Sequence, residues 1–228
     1  MTTPRGALIA IEGLDRAGKS TQCDILLNRL RAAGIPAKLQ KFPDRTTPIG
    51  HMINSYLTTT STNLDDQSIH LLFSANRWES RDSILSTLQA GTTLLLDRYV
   101  YSGIVFSAAK PAEVIPDPKP LSISWCKAPD VGLPRPDIII FLNIGQEEAE
   151  KRAGFGEERY EKREMQEKVR GLFERLRGEG SGSSTDKEDW WVVDAGGSIE
   201  EVAGEVWKGV EEGLRRVREG SGEVRSIE

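Results

Sequence analysis

The chain has 228 residues, enough for one well-buried domain with a small appended lid and short for two. Hydrophobic residues at 38% and charged residues at 29% suit a soluble globular protein. The net charge of −5 gives no global attraction to nucleic acid or acidic lipid, so any phosphate must be held by locally placed basic groups.

The first apolar run, Ala7 to Ile11, reads as a short buried strand and is too short for a signal anchor or membrane span. A glycine-bearing turn follows, then an expected helix from Lys19 to Ala33, ended by Gly34 and Pro36. Ala37 to Phe42 reads as a second strand, and Pro48 can open a short helix. Leu64, Asp65 and Asp66 offer caps for one long helix reaching Ala90, with Gly91 ending it. Thr92 to Leu96 is a third buried strand, closing on Asp97. Residues 110–120 hold four prolines and read as a surface loop. Ile138 to Leu142 and Trp190 to Val193 make the fourth and fifth strands. Helices are expected over 146–153, 160–177 and 198–217, and the Gly/Ser-rich stretch 178–185 reads as a connector. The last residues, 219–228, are expected to be a frayed, disordered tail.

Strands alternating with helices predict an α/β domain: a five-stranded parallel sheet covered by helices on both faces. Ligands of such sheets gather at the carboxyl ends of the strands. Cys23 and Cys126 fit no metal-ligand spacing and make no disulfide framework, which points to a reducing, cytoplasmic setting, with the nucleus left open.

Gly13-Leu14-Asp15-Arg16-Ala17-Gly18-Lys19-Ser20 matches the Walker A pattern in full, between an expected strand and an expected helix. Its glycines let backbone N–H groups turn toward phosphates, and the helix N-terminus adds partial positive charge. Lys19 supplies a point charge for the β- and γ-phosphates, and the Ser20 hydroxyl can coordinate Mg²⁺. Asp97 ends an apolar strand as a Walker B carboxylate would, reaching Mg²⁺ through water. The Asn-Lys-x-Asp element of guanine-specific switches is absent from the sequence. A small-molecule kinase with a phosphorylated acceptor needs further cations between two polyanions. Arg16, Arg45 and Arg98 are placed to supply them.

The chain resembles the thymidylate kinases, a family of P-loop nucleoside monophosphate kinases, and most closely the eukaryotic type with an arginine inside the P-loop. The resemblance rests on the stretch Glu12 to Thr21, on Phe42-Pro43-Asp44-Arg45, on Leu71 to Trp78, on Asp97 to Gly103, on Trp125 to Pro134, and on Phe155 to Glu161. It covers about Arg5 to Val210 and extends the domain over 1–218, with a lid about 152–163. It implies transfer of the γ-phosphoryl group of ATP to dTMP, giving dTDP and ADP for dTTP synthesis, with Mg²⁺ as cofactor and a homodimer as the assembly. No nucleic acid or membrane partner is expected.

The same resemblance implies residue roles. The P-loop from Gly13 through Asp15, Arg16, Ala17, Gly18, Lys19 and Ser20 to Thr21 would hold ATP, with Arg152 over the adenine and Ala195 at its edge. Arg45 and Arg98 would clamp the acceptor phosphate, where a bidentate guanidinium suits the ligand. Phe73 would stack on thymine, and Arg77 would donate to its O4. Cytosine presents an amino group there and would be rejected. Phe42, Ser102, Gly103 and Tyr160 would complete the acceptor pocket, with Phe106 beside the deoxyribose and Asp15 at the 3′-hydroxyl. Arg16, Lys19, Arg98 and Asp97 would serve the transfer itself. Without the family context, Phe73 on its apolar helix face would read as a core residue. Another nucleotide kinase, or a nucleotide-binding module without turnover, are the rival readings.

Overall fold

The computed structural model describes residues 4–59, 64–110, 121–151, 160, 163–179 and 189–228. Among them, β1 (Leu8–Gly13), β2 (Ala37–Lys41), β3 (Thr93–Asp97), β4 (Ile138–Asn143) and β5 (Trp190–Asp194) form one parallel sheet in the order β2-β3-β1-β4-β5. β1 is central and buried along its whole length. It pairs with β3 from Leu8 opposite Leu94 to Ile11 opposite Asp97, and with β4 from Ile9 opposite Ile138 to Gly13 opposite Leu142. All five carboxyl ends therefore reach the same edge.

The helices are α1 (Lys19–Ala32), α2 (Pro48–Thr58), α3 (Asp66–Glu79), α4 (Arg81–Gln89), α5 (Val100–Ala108), α6 (Ile123–Lys127), α7 (Gln146–Lys151), α8 (Arg163–Glu179) and α9 (Ile199–Glu219). Several of their starts are explicit in the chain. Thr47 caps α2 by accepting from Gly50 N, with Pro48 in the first turn. Asp65 caps α3 by accepting from the N–H groups of Gln67 and Ser68. Ser198 and Glu201 form a capping box at α9.

The period-2 alternation of strands sorts the core onto two faces. Ile9, Ile11, Leu95, Ile138 and Ile140 pack with Leu26 and Leu30 of α1 and with Val206 and Val210 of α9. Leu8, Ala10, Leu94 and Leu96 pack with Ile84 and Leu88 of α4 and Ile104 of α5.

The structure differs from the sequence expectation in four places. The single helix expected from Leu64 to Ala90 is two, α3 and α4, divided at Ser80, whose Oγ accepts from Gln40 of β2. α5 follows β3 directly, although its sequence is apolar on every side and carries no helical stripe. Among the described residues α8 is seen from Arg163, and Tyr160 lies in a turn. The terminal residues are not frayed: Pro134 and Ser226 form an antiparallel bridge, and Ile227 is 5% exposed within the α4 and α5 core. That pairing joins segments far apart in sequence, so no local signal announces it. The lid expected at 152–163, except Tyr160 and Arg163, lies outside the described residues, as do the 111–120 loop and the 180–188 connector.

His70 of α3 is fully buried and joins three helices. Its Nδ1 lies 2.8 Å from Ser107 Oγ of α5, and its Nε2 lies 2.9 Å from the Cys126 carbonyl of α6. A carbonyl can only accept, so Nε2 carries the proton and Nδ1 accepts from the serine. Burial, with Arg77 nearby, pulls the imidazole down to about 4 from its usual 6.5. Between those values the unfolded chain binds a proton that the folded chain refuses, so stability falls as pH falls. Urea unfolding should yield a free energy that declines from pH 6.5 toward 4. The decline should be shallower in His70→Gln, which cannot titrate.

Candidate active site

β1 delivers the chain to the centre of the sheet edge, and residues 13–18 turn back into α1. Gly18 at φ 88° is the residue before the first turn of α1, and Arg16 stands at φ 61°. Gly13 at φ 149° has no room for a side chain, since a Cβ there would lie 2.6 Å from the Leu142 carbonyl oxygen. With no acidic residue in its first turn, α1 leaves its N–H groups and dipole facing the cleft.

That cleft has a volume of about 1070 Å³ and is lined by residues 15–22, by 39–46 at the end of β2, by Asp97 and Arg98, and by Ala195, Gly197 and Ile199 from the β5–α9 turn. Lys19 is buried at its floor and donates to the Leu14 carbonyl. Burial pulls its ammonium down to about 8, with the Arg98 charge adding to the effect. A phosphate arriving beside it would restore the charge. Ser20 Oγ donates to Asp97 Oδ2 at 2.6 Å, and Lys41 Nζ stands 3.9 Å from the same oxygen.

A second, smaller cavity adjoins the first. Asp15, Phe42, Arg45, Phe73, Arg77, Arg98, Ser102, Gly103, Phe106 and Tyr160 all line it. Asp15, Phe42, Pro43, Arg45 and Arg98 line both cavities and so mark their junction. Arg98 sits there at φ 67°. Its Nη1 donates to the Gly13 carbonyl at 3.0 Å and to Ser102 Oγ at 2.9 Å, and its Nη2 pairs with Asp15. The guanidinium lies 4.9 Å from the Phe106 ring centre, a cation–π contact. Four points of contact hold a cation in place before any ligand arrives.

Phe73 and Arg77, one turn apart on α3, both face the smaller cavity. Arg77 is 3% exposed and bound to a fully buried Asp130, with Nε donating to Oδ1 at 3.1 Å and Nη2 to Oδ2 at 2.5 Å. Tyr160 covers the far side, its ring 5.9 Å from Phe106 and 6.3 Å from Tyr56. Lys110 Nζ lies 5.2 Å from the Tyr56 ring and 5.5 Å from the Tyr160 ring.

The family model for thymidylate kinase matches residues 11–206, the greater part of the chain. The chain belongs to the thymidylate kinase family. It is 50% identical to the thymidylate kinase of Schizosaccharomyces pombe over 89% of this chain and 90% of that protein. To the human thymidylate kinase it is 44% identical over 96% of both. A solved thymidylate kinase from Candida albicans superposes with a TM-score of 0.85 at 41% identity, covering 100% of both chains. The five-stranded parallel sheet flanked by helices matches that fold.

As expected, residues 15–21 of the P-loop, Asp97, Arg98 and Ala195 meet at one cleft, which Gly13 does not line, and the ten residues expected around the acceptor meet at the adjoining cavity. Arg152 lies outside the described residues. Other members of the site escaped that reading. Glu12, fully buried at the end of β1, accepts from Tyr99 N at 2.9 Å, from Ser102 N at 3.1 Å and from Ser102 Oγ, which fixes the start of α5 behind Arg98. Burial pushes its carboxyl up despite these bonds. Gln166 of α8 donates to Asp15 Oδ2 at 2.7 Å and accepts from Asp15 N at 3.1 Å. Asn76 grips the Asp44 backbone, accepting from its N–H at 2.7 Å and donating to its carbonyl at 3.1 Å. A charged residue inside an apolar strand was a visible signal for Glu12. Gln166 and Asn76 carried none, being polar residues on helices.

Gly103 faces the Arg77 guanidinium so closely that a Cβ would lie 2.7 Å from Nη1. Asp130 prevents the arginine from swinging away without breaking a buried pair, which costs about 3–5 kcal/mol. Gly103→Ala should therefore weaken dTMP binding by at least about tenfold while leaving ATP affinity unaltered, as read by calorimetric titration of each nucleotide.

Proposed function

We propose that this chain transfers the γ-phosphoryl group of ATP to dTMP, giving dTDP and ADP, with ATP in the larger cleft and dTMP in the smaller cavity. The observation that carries this reading is the junction of the two cavities at Asp15, Arg45 and Arg98, where a phosphate from each side can meet cations already in place. Family membership sets the reaction class, which is ATP-dependent phosphorylation of dTMP.

In the proposed mechanism the dTMP phosphate oxygen attacks in line on the γ-phosphorus. No general base is required, because that oxygen is already ionised near neutral pH. Turnover then depends on positioning and charge neutralisation. Lys19 and the P-loop N–H groups hold the β- and γ-phosphates, Arg45 and Arg98 hold the acceptor phosphate, and Arg16 bridges the two. Phe73 stacks on thymine and Arg77 donates to O4, so cytosine would set donor against donor. The methyl group adds on the order of 1 kcal/mol in an apolar pocket, which makes dUMP a poor substrate rather than an excluded one. Phe106 crowds the 2′ position, and Tyr160 closes over the acceptor. The backbone at Ala195 meets the adenine edge, and Arg152 is assigned to its face.

The Ser20 hydroxyl and the Asp97 carboxylate are hard oxygens 2.6 Å apart at the phosphate end of the cleft, a donor set that fits Mg²⁺. The ion would offset the negative charge that builds on the transferring phosphoryl group. Ser20 would bind it directly and Asp97 through water.

A homodimer and a cytoplasmic setting, with the nucleus open, complete the proposal. Leu71 and Trp78 lie two turns apart on α3 and are 47% and 39% exposed, with Trp125 and Val131 exposed nearby, a face that suits a second copy. Both cysteines are buried and unpaired, in keeping with a reducing compartment. Among the described residues no helix is long and apolar enough to cross a membrane.

ADP release with Mg·ATP and a panel of dTMP, dUMP, dCMP, UMP, CMP, AMP and GMP tests the acceptor assignment. Release should favour dTMP, with dUMP slower and dCMP slower still. Preference for another monophosphate would overturn the roles of Phe73, Arg77 and Phe106, and no acceptor-dependent release would favour a binding module. Arg16→Ala should lose turnover by about 10³-fold or more with ATP affinity little altered, and full steady-state turnover would remove it from the mechanism.

A further inference from the structure

The segment after α9 lies outside the region that the family model matches, yet it is bonded into the molecule near the acceptor pocket. Gly132 N donates to the Ile227 carbonyl at 2.9 Å, Ile227 N donates to the Leu133 carbonyl at 2.8 Å, and Arg135 N donates to the Arg225 carbonyl at 2.8 Å. Two cationic contacts hold the same segment from outside. Arg225 Nη2 reaches Asp189 Oδ1 at 3.2 Å, and Arg5 Nη2 donates to the Glu223 carbonyl at 3.0 Å. Ile227 packs with Cys126, Leu133 and Ile84.

The segment that receives it continues the turn bearing Asp130, since Leu133 N donates to the Asp130 carbonyl at 3.1 Å. Asp130 is fully buried, and its carboxylate is the anchor of Arg77 and the acceptor of Ser74 Oγ at 2.7 Å. α3 secures the near side of the turn, where Trp78 Nε1 donates to the Pro129 carbonyl at 2.7 Å. The far side passes through Gly132 at φ 94°, a conformation that favours glycine, with the Trp78 ring against it. Its backbone partner there is the terminal segment, whose Ile227 carbonyl accepts from Gly132 N.

We propose that residues 223–227 act as a positioning strap for the acceptor base, fixing the 130–133 turn and, through Asp130, the direction in which the Arg77 guanidinium points. The strap touches no substrate, and its effect is on base selection. The inference rests on the acceptor-site reading above. A guanidinium whose buried carboxylate partner can shift loses the alignment of its free N–H groups toward a carbonyl at the base edge. Affinity for dTMP and rejection of dCMP should then fall together, while the P-loop is undisturbed.

Two full-chain variants, Ile227→Ala and Asp130→Asn, and a chain ending at Gly222 test this by steady-state kinetics with dTMP, dCMP and ATP. Each should raise the KM for dTMP by about tenfold, the worth of one charge-assisted hydrogen bond, and narrow the preference for dTMP over dCMP by a similar factor. The KM for ATP should stay within about twofold of wild type, and Ile227→Ala with Asp130→Asn should cost little more than either alone, since both act on one contact. An unaltered dTMP KM and an unaltered dTMP preference in the variants, even with a lowered melting temperature, would reduce the strap to a stabiliser of the fold. A parallel rise in the KM for ATP would likewise overturn it. If the shortened chain does not fold, Ile227→Ala, which keeps the backbone pairing, decides. A wild-type protein without dTMP turnover would defeat the functional reading first, whereas an active wild type with unaltered variants would defeat the strap alone.

Discussion

Two unit charges of the same sign 4 Å apart repel by about 4 kcal/mol at the dielectric of a protein surface, and a phosphoryl transfer between two nucleotides must gather several of them. The rest of the site follows from that constraint. Its answer is Arg98, fixed by Asp15, by the Gly13 carbonyl and by Ser102 at the meeting point of the two cavities. Glu12 sets the depth of this arrangement. It is buried behind the P-loop and ties β1 to the start of α5, so strand, loop and arginine move as one piece. Burying a carboxylate there is costly, and three hydrogen bonds offset the cost without removing it, since its carboxyl remains pushed up.

The acceptor side uses the same device with a different purpose. Arg77 is neutralised by Asp130 before any ligand arrives, so it presents directed N–H groups rather than a free charge. A fork held at Nε and Nη2 can discriminate a carbonyl from an amino group, because its remaining donors cannot turn to suit either. Gly103 lets the guanidinium lie against α5, and Ser74 shares the carboxylate. In the proposed reading the phosphate end works by accumulated charge and the base end by geometry.

Much of the site was legible from spacing. The Walker A stretch lies between a strand and a helix, and Asp97 and Arg98 close a buried strand, while Phe73 and Arg77, one helical turn apart, were singled out by the family resemblance. These are local patterns, and local patterns survive projection onto a line. The split at Ser80 was not legible, since α3 and α4 share one apolar rhythm and part only where Gln40 reaches Ser80 Oγ. Nor was α5, whose largely apolar sequence carries no stripe of the kind by which surface helices are recognised.

The sequence by itself determined the fold class, the phosphate cradle and the residue types gathered at each cavity. Strand propensity, glycine placement and helix caps act over a few residues and need no partner elsewhere. Tertiary structure alone decided the pairings that give those residues direction: Gln166 on Asp15, Asp130 on Arg77, Asn76 on the Asp44 backbone, and the terminal segment on residues 132–135. Each joins groups at least thirty positions apart. A hydrogen bond depends on the distance and angle between its two partners, and one position along a chain specifies neither until the chain is folded.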